Sequence, residues 1–449
     1  MSRLRLTFYG DDFTGSTDAL EQLTLAGIRA ALFIEPPSKE QLARFKGLQA
    51  VGVAGMTRSM PPRKMETELR PALLKLKKLG APHVHYKVCS TFDSSPQIGN
   101  IGRVIELAKK IFPAPFVPLL AAAPALGRFT VFGNHFARFG IGSAGAIHRL
   151  DHHPSISRHP VTPMTEADLR LHLAKQTKIK IALFDILKLS LPEQEMRLAL
   201  RTILSEKPGA VLFDTLDMEH LARVGAILEN FASPKRPLFS IGSSGIEAAL
   251  ATEWRSKPIA NKLASPAKQI LIGSGSCSPV TENQIKWALK NGFAEVPLDA
   301  KRLAVKNLEA EVHRATLAAI KLLGSGRSVI VHTTKNGPDK LIRAKLKDRS
   351  AKTLGTALGR VLREALAQTK VRRLCIAGGD TSSFAARALG IEALEMIAPL
   401  TPGAPLCRIH APGSPADGLE AVFKGGQVGA INYFSTVLNG VHKRPSSNL

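Results

Sequence analysis

Aromatic residues make up only 5% of the 449 positions, so the chain has few rings on which nucleic-acid bases could stack. Cysteine is scarce as well. Cys89, Cys277, Cys375 and Cys407 lie far apart and form no CxxC pair, which argues against a zinc site or a disulfide framework and for reduced thiols. No apolar run approaches the roughly 18 residues of a membrane span. The longest, "APFVPLLAAAPALG", is short and broken by prolines. The opening "MSRLRLTFYG" enters a strand pattern without an apolar leader core or a small-residue cleavage site, so a cytoplasmic protein is expected. Familiar phosphate signatures are missing too. GxxxxGK[ST] does not occur, which excludes the common NTPase cradle, and the HRD and DFG of protein kinases are absent. The histidines of "RLDHHPSISRH" lack the spacing of a helical HExxH motif, so they read as surface or supporting residues and no metal site is assigned to them.

Acidic residues are in deficit: 36 Asp and Glu against 61 Lys and Arg leave a net charge of +25. Such a surface attracts anions, whether carboxylated or phosphorylated small molecules, nucleotides or nucleic acid. The bases are spread through amphipathic helices such as "KLIRAKLKDRSAKTLGTALGRVLREALAQ" and form no single tract, which speaks against nucleic acid. The 44% of hydrophobic residues suffices for sizeable cores, and the length exceeds what one core usually organises. Two domains are expected.

Short apolar runs alternate with helical patterns: "LRLTFYG" then "DALEQLTLAG", "QAVGVAG" then "PRKMETELRPALLKLKKLG", with "HVHYKV" next. That rhythm signifies βαβ units, a mostly parallel sheet with helices on its faces. It is interrupted by "RFTVFGNHFARF", which reads as a hairpin turning near Gly133 and Asn134, and resumes at "KIALFDI", "AVLFDTL" and "PLFSIG". Residues 254 to 268 carry two prolines and little periodicity, which puts the domain boundary there: 1–255 and 262–449. The second half restarts with "KQILIGSGSCSPVTENQIKWALKNG", "RSVIVHTTKNG" and "VRRLCIAGGDTSSFAARALG", and "GLEAVFKGGQVGAINYFSTVLNG" reads as a strand, a glycine turn and a helix. The fold class is therefore α/β, with two domains that are each a mostly parallel sheet flanked by helices. Ligands of such sheets bind beyond the carboxyl ends of the strands.

Several loops carry chemistry, and each has a plain structural alternative. Asp11 and Asp12 follow the first strand and precede a helix that Thr14 or Ser16 could cap. One carboxylate fits a capped helix. Two adjacent ones repel, so the second asks for a partner, or serves to take a hydroxyl proton or orient a polyol. "YKVCSTFDSSPQIGNIGR" gathers Lys87, Ser90, Thr91, Asp93 and Asn100. It is either a polar turn with helix caps or a pocket for a hydroxylated anion, with Arg58 and Arg158 as further carboxylate contacts. "IGSGSCSPVT" and "IAGGDTSS" combine glycines with hydroxyls before a helix, which suits phosphate. "GIGSAG" matches GxGxxG through Gly140, Gly142 and Gly145, but outside a strand-to-helix context, so a dinucleotide-dependent oxidoreductase would rest on it alone. A non-catalytic nucleotide-binding protein with a basic surface is the other alternative, although it would have no use for Asp11 and Asp12.

The combination of "GDDFTGSTDAL", "SGSCSPVTENQI" and "AGGDTSSFAARALGIEALEM" with "PLTPGAPLCRI" resembles the four-carbon acid sugar kinase family, in the family's order and over nearly the whole chain. The resemblance implies an N-terminal domain that holds a small sugar acid, a C-terminal domain that holds ATP, and phosphorylation of a hydroxyl with Mg²⁺. By that likeness Asp11, Asp12, Thr14 and Gly15 form the DDxTG motif on the acid. Ser274, Gly275, Ser276, Gly378, Gly379, Asp380, Thr381, Ser382, Pro402, Gly403, Ala404, Pro405, Gly425 and Gly426 should lie on ATP. Asp12, with Asp11 beside it, is expected to orient or deprotonate the attacking hydroxyl, and Asp380 to hold Mg²⁺ through water. One segment departs from the family, whose lysine is followed by a DSTLRGN-like run: here Cys89 stands in place of the aspartate and Asp93 in place of the arginine. That pattern resembles a subgroup acting on branched apiose-derived acids such as 3-oxo-isoapionate. The partners expected are the acid and ATP, with no nucleic acid and no membrane, and a homodimer stays open.

Overall fold

A computed structural model describes residues 4–139, 145–159, 161–254, 263–299, 308–333 and 350–440, with 350, 351 and 380 as backbone only. Gly140 and Gly142, and positions 255–262 of the stretch read as the boundary, lie outside the described residues. The chain divides into two compact units, one of Met1–Ala31 with Glu35–Ile259 and one of Leu32–Ile34 with Ala260–Leu449.

The first unit opens with β1 (Leu6–Gly10), α1 (Phe13–Leu25), β2 (Ala30–Phe33, of which Leu32 and Phe33 are grouped with the second unit), α2 (Lys39–Ala43), β3 (Ala50–Ala54), α3 (Pro62–Lys78), β4 (His83–Lys87) and α4 (Ile101–Ile111). It continues through β5 (Val117–Leu120), β6 (Arg128–Val131), β7 (Asn134–Arg138), β8 (Ile147–Arg149), α5 (Leu169–Ala174), β9 (Ile181–Phe184), α6 (Ile186–Leu189) and α7 (Glu193–Ser205). It ends with β10 (Ala210–Phe213), α8 (Met218–Phe231), β11 (Leu238–Gly242) and α9 (Gly245–Glu253). Its main sheet has the order β2-β3-β1-β4-β11-β5-β10-β9. Strand β1 pairs in parallel with β3 and β4, β11 with β4 and β5, and β10 with β5 and β9. The strand residues "LTFYG", "AVGVA" and "HVHYK" are buried throughout, as expected where helices cover both faces. Helix α4 shows why: Ile101, Val104, Ile105 and Ala108 recur at helical spacing and are buried with Leu69, Leu73 and Leu76 of α3 against Tyr86, Leu119 and Ile241. Each such aliphatic side chain contributes about 1.5–3 kcal/mol. The register sets Gly10, Ala54, Lys87 and Gly242 level with one another, so the loops that follow them leave one edge of the sheet.

Strands β6, β7 and β8 form a separate antiparallel sheet. The β6–β7 turn is Phe132 (φ 50°) and Gly133 (φ 82°), whose N–H groups donate to the buried Asp214 carboxylate at 2.5 and 2.9 Å.

The second unit contains β12 (Leu271–Ser274), α10 (Pro279–Lys290), β13 (Ala294–Pro297), α11 (Leu308–Gly324), β14 (Val329–His332) and α12 (Ser350–Ala367). β15 (Arg373–Ala377), α13 (Asp380–Ala388), β16 (Ala393–Thr401), β17 (Ala404–His410), β18 (Glu420–Lys424) and α14 (Tyr433–Asn439) follow. The order β13-β14-β12-β15-β18-β17-β16 is parallel through β18, whereas β17 runs antiparallel to both β18 and β16. That hairpin departs from the parallel rhythm of the sequence. Here Ser274, His332, Ala377 and Lys424 end level, again releasing their loops at one edge.

Candidate active site

At the edge of the first unit, Asp12 is the N-cap of α1. Its Oδ1 accepts the Gly15 N–H (2.9 Å) and its Oδ2 accepts the Thr14 hydroxyl (2.7 Å) and the Arg58 guanidinium (3.0 Å). A Cβ at Gly15 would fall 2.5 Å from Asp12 Oδ1 and 3.3 Å from Lys87 Nζ, so a larger residue would displace the Asp12 carboxylate from its place. Burial opposes ionisation of Asp12, but Arg58 and the Thr14 hydroxyl outweigh it and hold the carboxyl below its ordinary range. Asp11 has the opposite surroundings. Its backbone is fixed by N–H donation to Lys87 O (2.8 Å) and by its carbonyl accepting from Arg58 N (3.0 Å), yet its buried Oδ1 has no hydrogen-bond partner. Burial first, then the neighbouring Asp12 charge, push the Asp11 carboxyl up to about 8. Sequence reasoning offered Asp12, with Asp11 beside it, to orient or deprotonate the hydroxyl. Three donors already occupy Asp12, whereas the buried Asp11 carboxyl keeps an oxygen without a hydrogen-bond partner among the described residues.

Lys87 ends β4 and is buried. Its ammonium donates to Val88 O (2.9 Å) and lies 3.5 Å from Asp18 Oδ2. Burial would lower its pKa, but Asp18 and then Glu247 raise it, so the lysine stays charged. Asp18 and Glu247 went unnoticed in the sequence, as did His85, whose Nδ1 meets Glu247 Oε1 at 2.6 Å between two wholly buried side chains. Their only signal was an acid or histidine inside an otherwise apolar element.

The loop after β4 is tied down from within. The Ser90 carbonyl accepts from His135 Nε2 (2.9 Å), and the Thr91 hydroxyl donates to Asp93 Oδ1 (2.8 Å) beside Cys89 Sγ. Burial and Asp93 push the Cys89 thiol up to about 12, so it stays protonated. Between Thr91 and Asp93 the buried Phe92 is held at φ 57°, a left-handed conformation that costs a bulky residue roughly 1–3 kcal/mol. Two expected contacts fall elsewhere. Asn100 caps α4, its Oδ1 accepting from Arg103 N (2.6 Å) and its Nδ2 donating to Pro96 O, so both ends of the amide are committed to the fold. Arg158 is exposed and joins no hydrogen bond or ion pair among the described residues.

The second unit builds its edge from backbone and hydroxyls. Gly275 N donates to Ala377 O and Gly378 N to Lys424 O, both at 3.0 Å, which draws the loops after β12, β15 and β18 together. Gly378 sits at φ 140°, where a Cβ would fall 2.3 Å from Thr381 Oγ1, and a Cβ on Gly275 would meet the same hydroxyl at 2.6 Å. Gly426 is as tight, 3.0 Å from Ser276 Oγ. Helix α12 fixes the cradle from behind, because Gly355 and Gly359 let it approach Thr381 and Ala385 of α13. Gly379 caps α13 without a side chain, and the Ser382 hydroxyl donates to Gly378 O. Only the backbone of Asp380 is described. Among the described residues the buried Ser274 Oγ has no hydrogen-bond partner. Pro402 and Gly403 form the β16–β17 turn and Ala404 and Pro405 begin β17, which the β17–β18 register carries to the same edge as Lys424. Gly425 follows Lys424 directly.

Lys424 is the residue that sequence reasoning passed over here. It is wholly buried, donates to Thr281 Oγ1 (2.8 Å), which in turn donates to Gly426 O (2.9 Å), and lies 5.4 Å from the Tyr433 ring. Burial brings its pKa down to about 8. An ammonium that meets no carboxylate among the described residues, beneath a glycine cradle, fits a phosphate chain, as do the unpartnered Ser274 hydroxyl and the helix start at α13. Among the described residues no group of three or more His, Cys, Asp or Glu is gathered to hold a metal. No helix among them is long and apolar enough to cross a membrane.

Residues 6–250 match a family model described as a sugar-binding N-terminal domain, and residues 271–434 one described as a nucleotide-binding C-terminal domain. The chain is 42% identical to a 3-oxo-isoapionate kinase of Paraburkholderia graminis, covering 97% of this chain and 94% of that one. It is 31% identical to a 3-oxo-tetronate kinase of Methylobacterium radiotolerans, covering 97% and 99%. A solved structure from Salmonella typhimurium LT2 shares the fold with a TM-score of 0.75 at 24% identity, covering 96% of this chain and 98% of that one.

Proposed function

This chain belongs to the four-carbon acid sugar kinase family, and from that premise we propose that it phosphorylates a hydroxyl of a branched 3-oxo sugar acid, 3-oxo-isoapionate or a close analogue, at the expense of ATP. The observation that carries the reading is likeness over both domain matches at once to enzymes named as sugar-acid kinases, greater toward the 3-oxo-isoapionate kinase than toward a 3-oxo-tetronate kinase. The first unit takes the acid at the Gly10, Lys87 and Gly242 edge, and the second takes ATP at the Ser274, Ala377 and Lys424 edge. Asp11 accepts the proton of the attacking hydroxyl as its oxygen bonds to the γ-phosphorus and the bond to the β-phosphate oxygen breaks. Its raised pKa and unused oxygen suit that role. Asp12 orients Thr14, Gly15 and Arg58 around it. Thr91 and Asp93 face the polyol with acceptors where the family carries a cation. Lys424 and the N–H groups of the cradle neutralise phosphate charge that develops on transfer. Mg²⁺ entering on the nucleotide, with Asp380 as the residue that would hold it through water, would withdraw charge from the phosphates. An ATP-dependent enzyme of this kind belongs in the cytoplasm.

An ATP-coupled assay tests the substrate directly. The branched 3-oxo acid should exceed linear threonate and erythronate by at least tenfold in kcat/KM, the scale of one well-used polar contact at roughly 1.4 kcal/mol. Equal or better turnover of the linear acids would remove the substrate assignment and leave the kinase.

A further inference from the structure

The acid site lacks an uncommitted cation for its substrate. Lys87 pairs with Asp18, Arg58 pairs with Asp12, Arg158 is exposed and apart, and Asp93 adds a negative charge where the family has an arginine. A carboxylate brought among Asp11, Asp12 and Asp93 needs one more positive charge, and β6 carries it.

Arg128 begins β6, a strand whose Arg128 and Thr130 are buried while Phe129 and Val131 are less so. The same face reaches the substrate loop: the Thr130 hydroxyl meets His135 Nδ1 (2.9 Å), and His135 Nε2 donates to the Ser90 carbonyl (2.9 Å). Arg128 is 5% exposed. Its Nη1 donates to the carbonyls of Leu126 (3.1 Å), Gly127 (3.2 Å) and Arg138 (3.0 Å), which anchors one corner of the guanidinium. The opposite edge has no such anchor. Nε is buried without a hydrogen-bond partner, and among the described residues neither Nε nor Nη2 has a carboxylate or carbonyl to meet. Burial lowers the Arg128 pKa, while Cys89, Asp93 and Asp18 act the other way, so these groups of the substrate loop and of α1 are its electrostatic neighbours. A buried guanidinium with no ion pair is costly unless an anion arrives from outside. The Nε and Nη2 hydrogens form the parallel pair of donors that a carboxylate accepts in a bidentate bond.

We propose that Arg128 binds the carboxylate of the sugar acid through its unpaired Nε and Nη2 edge, supplying from β6 the cation that the loop after β4 lost at Asp93. The inference rests on the sugar-acid kinase reading and names the residue that holds the acid end of its substrate. A bidentate carboxylate on β6 leaves the branched and oxidised end of the molecule to Thr91 and Asp93, whose acceptors suit hydroxyls.

Arg128→Lys tests this, because it keeps the charge and can still reach backbone carbonyls but offers no parallel pair of donors. The KM for 3-oxo-isoapionate should rise at least tenfold, with the ATP KM and the melting temperature near wild type. An acid KM within twofold of wild type overturns the assignment. Should that variant not fold, a crystal structure of the wild-type protein with 3-oxo-isoapionate decides: the carboxylate within hydrogen-bond distance of Arg128 Nε and Nη2 supports it, and a carboxylate seated on Arg58 or Lys87 instead overturns it. If the wild-type enzyme phosphorylates no sugar acid, the kinase reading itself fails and this inference with it. Wild-type turnover that is indifferent to Arg128→Lys sinks the Arg128 assignment alone.

Discussion

The two units solve the same geometric problem with different materials. Each gathers loops at the carboxyl edge of a parallel sheet, but among the described residues the first fills that edge with ionisable side chains, Asp11, Asp12, Asp18, Lys87 and Arg58, while the second uses glycines, hydroxyls and one ammonium. Each also drives one group to a pKa of about 8, from opposite directions. Burial raises the Asp11 carboxyl and lowers the Lys424 ammonium, because a low dielectric disfavours charge of either sign. A small hydroxylated acid presents few atoms, so it is distinguished by individual side chains. A phosphate chain presents many equivalent oxygens, which backbone N–H groups serve as well as any side chain.

The largest effect should come from Asp11→Asn, which breaks the contrast on the acid side. We expect kcat to fall by about 100-fold or more, the scale of a lost general base, with both KM values little changed. In the wild type, kcat/KM for the acid should climb as pH rises through about 8, since Asp11 accepts a proton only when ionised, and the variant should lose that limb. Stability moves the other way. The folded Asp11 holds its proton to about 8 while an unfolded carboxyl releases it near 3.8, so the wild type loses stability as pH rises across that window. Asp11→Asn should remove this loss, which urea midpoints at low and high pH would reveal. A variant with near-normal kcat would return Asp11 to a purely structural position.

Lys424→Met tests the nucleotide side and should raise the ATP KM by about tenfold or more, since a hydrogen bond to a charged group is worth roughly 1.5–3 kcal/mol. Acid binding should hold. Because Lys424 loses its proton near 8, the wild-type ATP KM should worsen as pH rises through that value, and the variant's should not. An unchanged ATP KM would mean that the buried ammonium only ties Thr281 to the loop.

Asp12→Ala is the smallest of the three and sharpens the comparison within the acid site. Removal of a helix cap costs about 0.5–2 kcal/mol, read in the unfolding midpoint, and kcat should fall less than in Asp11→Asn. If kcat drops as far while the protein stays folded, Asp12 is the base after all.

Much of this arrangement was legible in the sequence. Apolar runs followed by glycine and hydroxyl clusters marked the loops after β1, β4, β12, β15 and β18, because a parallel sheet must release its ligand-binding loops at strand ends. The hairpin β6–β7 was visible from its turn. What stayed hidden depends on residues distant in the chain. Asp11 and Asp12 are adjacent and chemically identical, and the helix start at Thr14 and Gly15 together with the arrival of Arg58 separates a well-satisfied carboxylate from one with an unpartnered oxygen. Lys424 looks like a solvated lysine at a strand end until Thr281 and Tyr433 close over it. Asn100 had both readings from the start, and its side-chain bonds chose the cap.

The strand order of the first unit bears on how the protein is made. β4 and β5 are near in sequence but not partners, because β11 is inserted between them. During synthesis the ribosome has delivered ten strands before the one that joins the two halves of this sheet. Until then the inner edges of β4 and β5 stay unpaired, and open edges of this kind template aggregation. Closure across so long a stretch of chain is slow, so the nascent protein is expected to need chaperone protection until Gly242 emerges, and chains terminated earlier should accumulate as aggregates and not as a folded fragment.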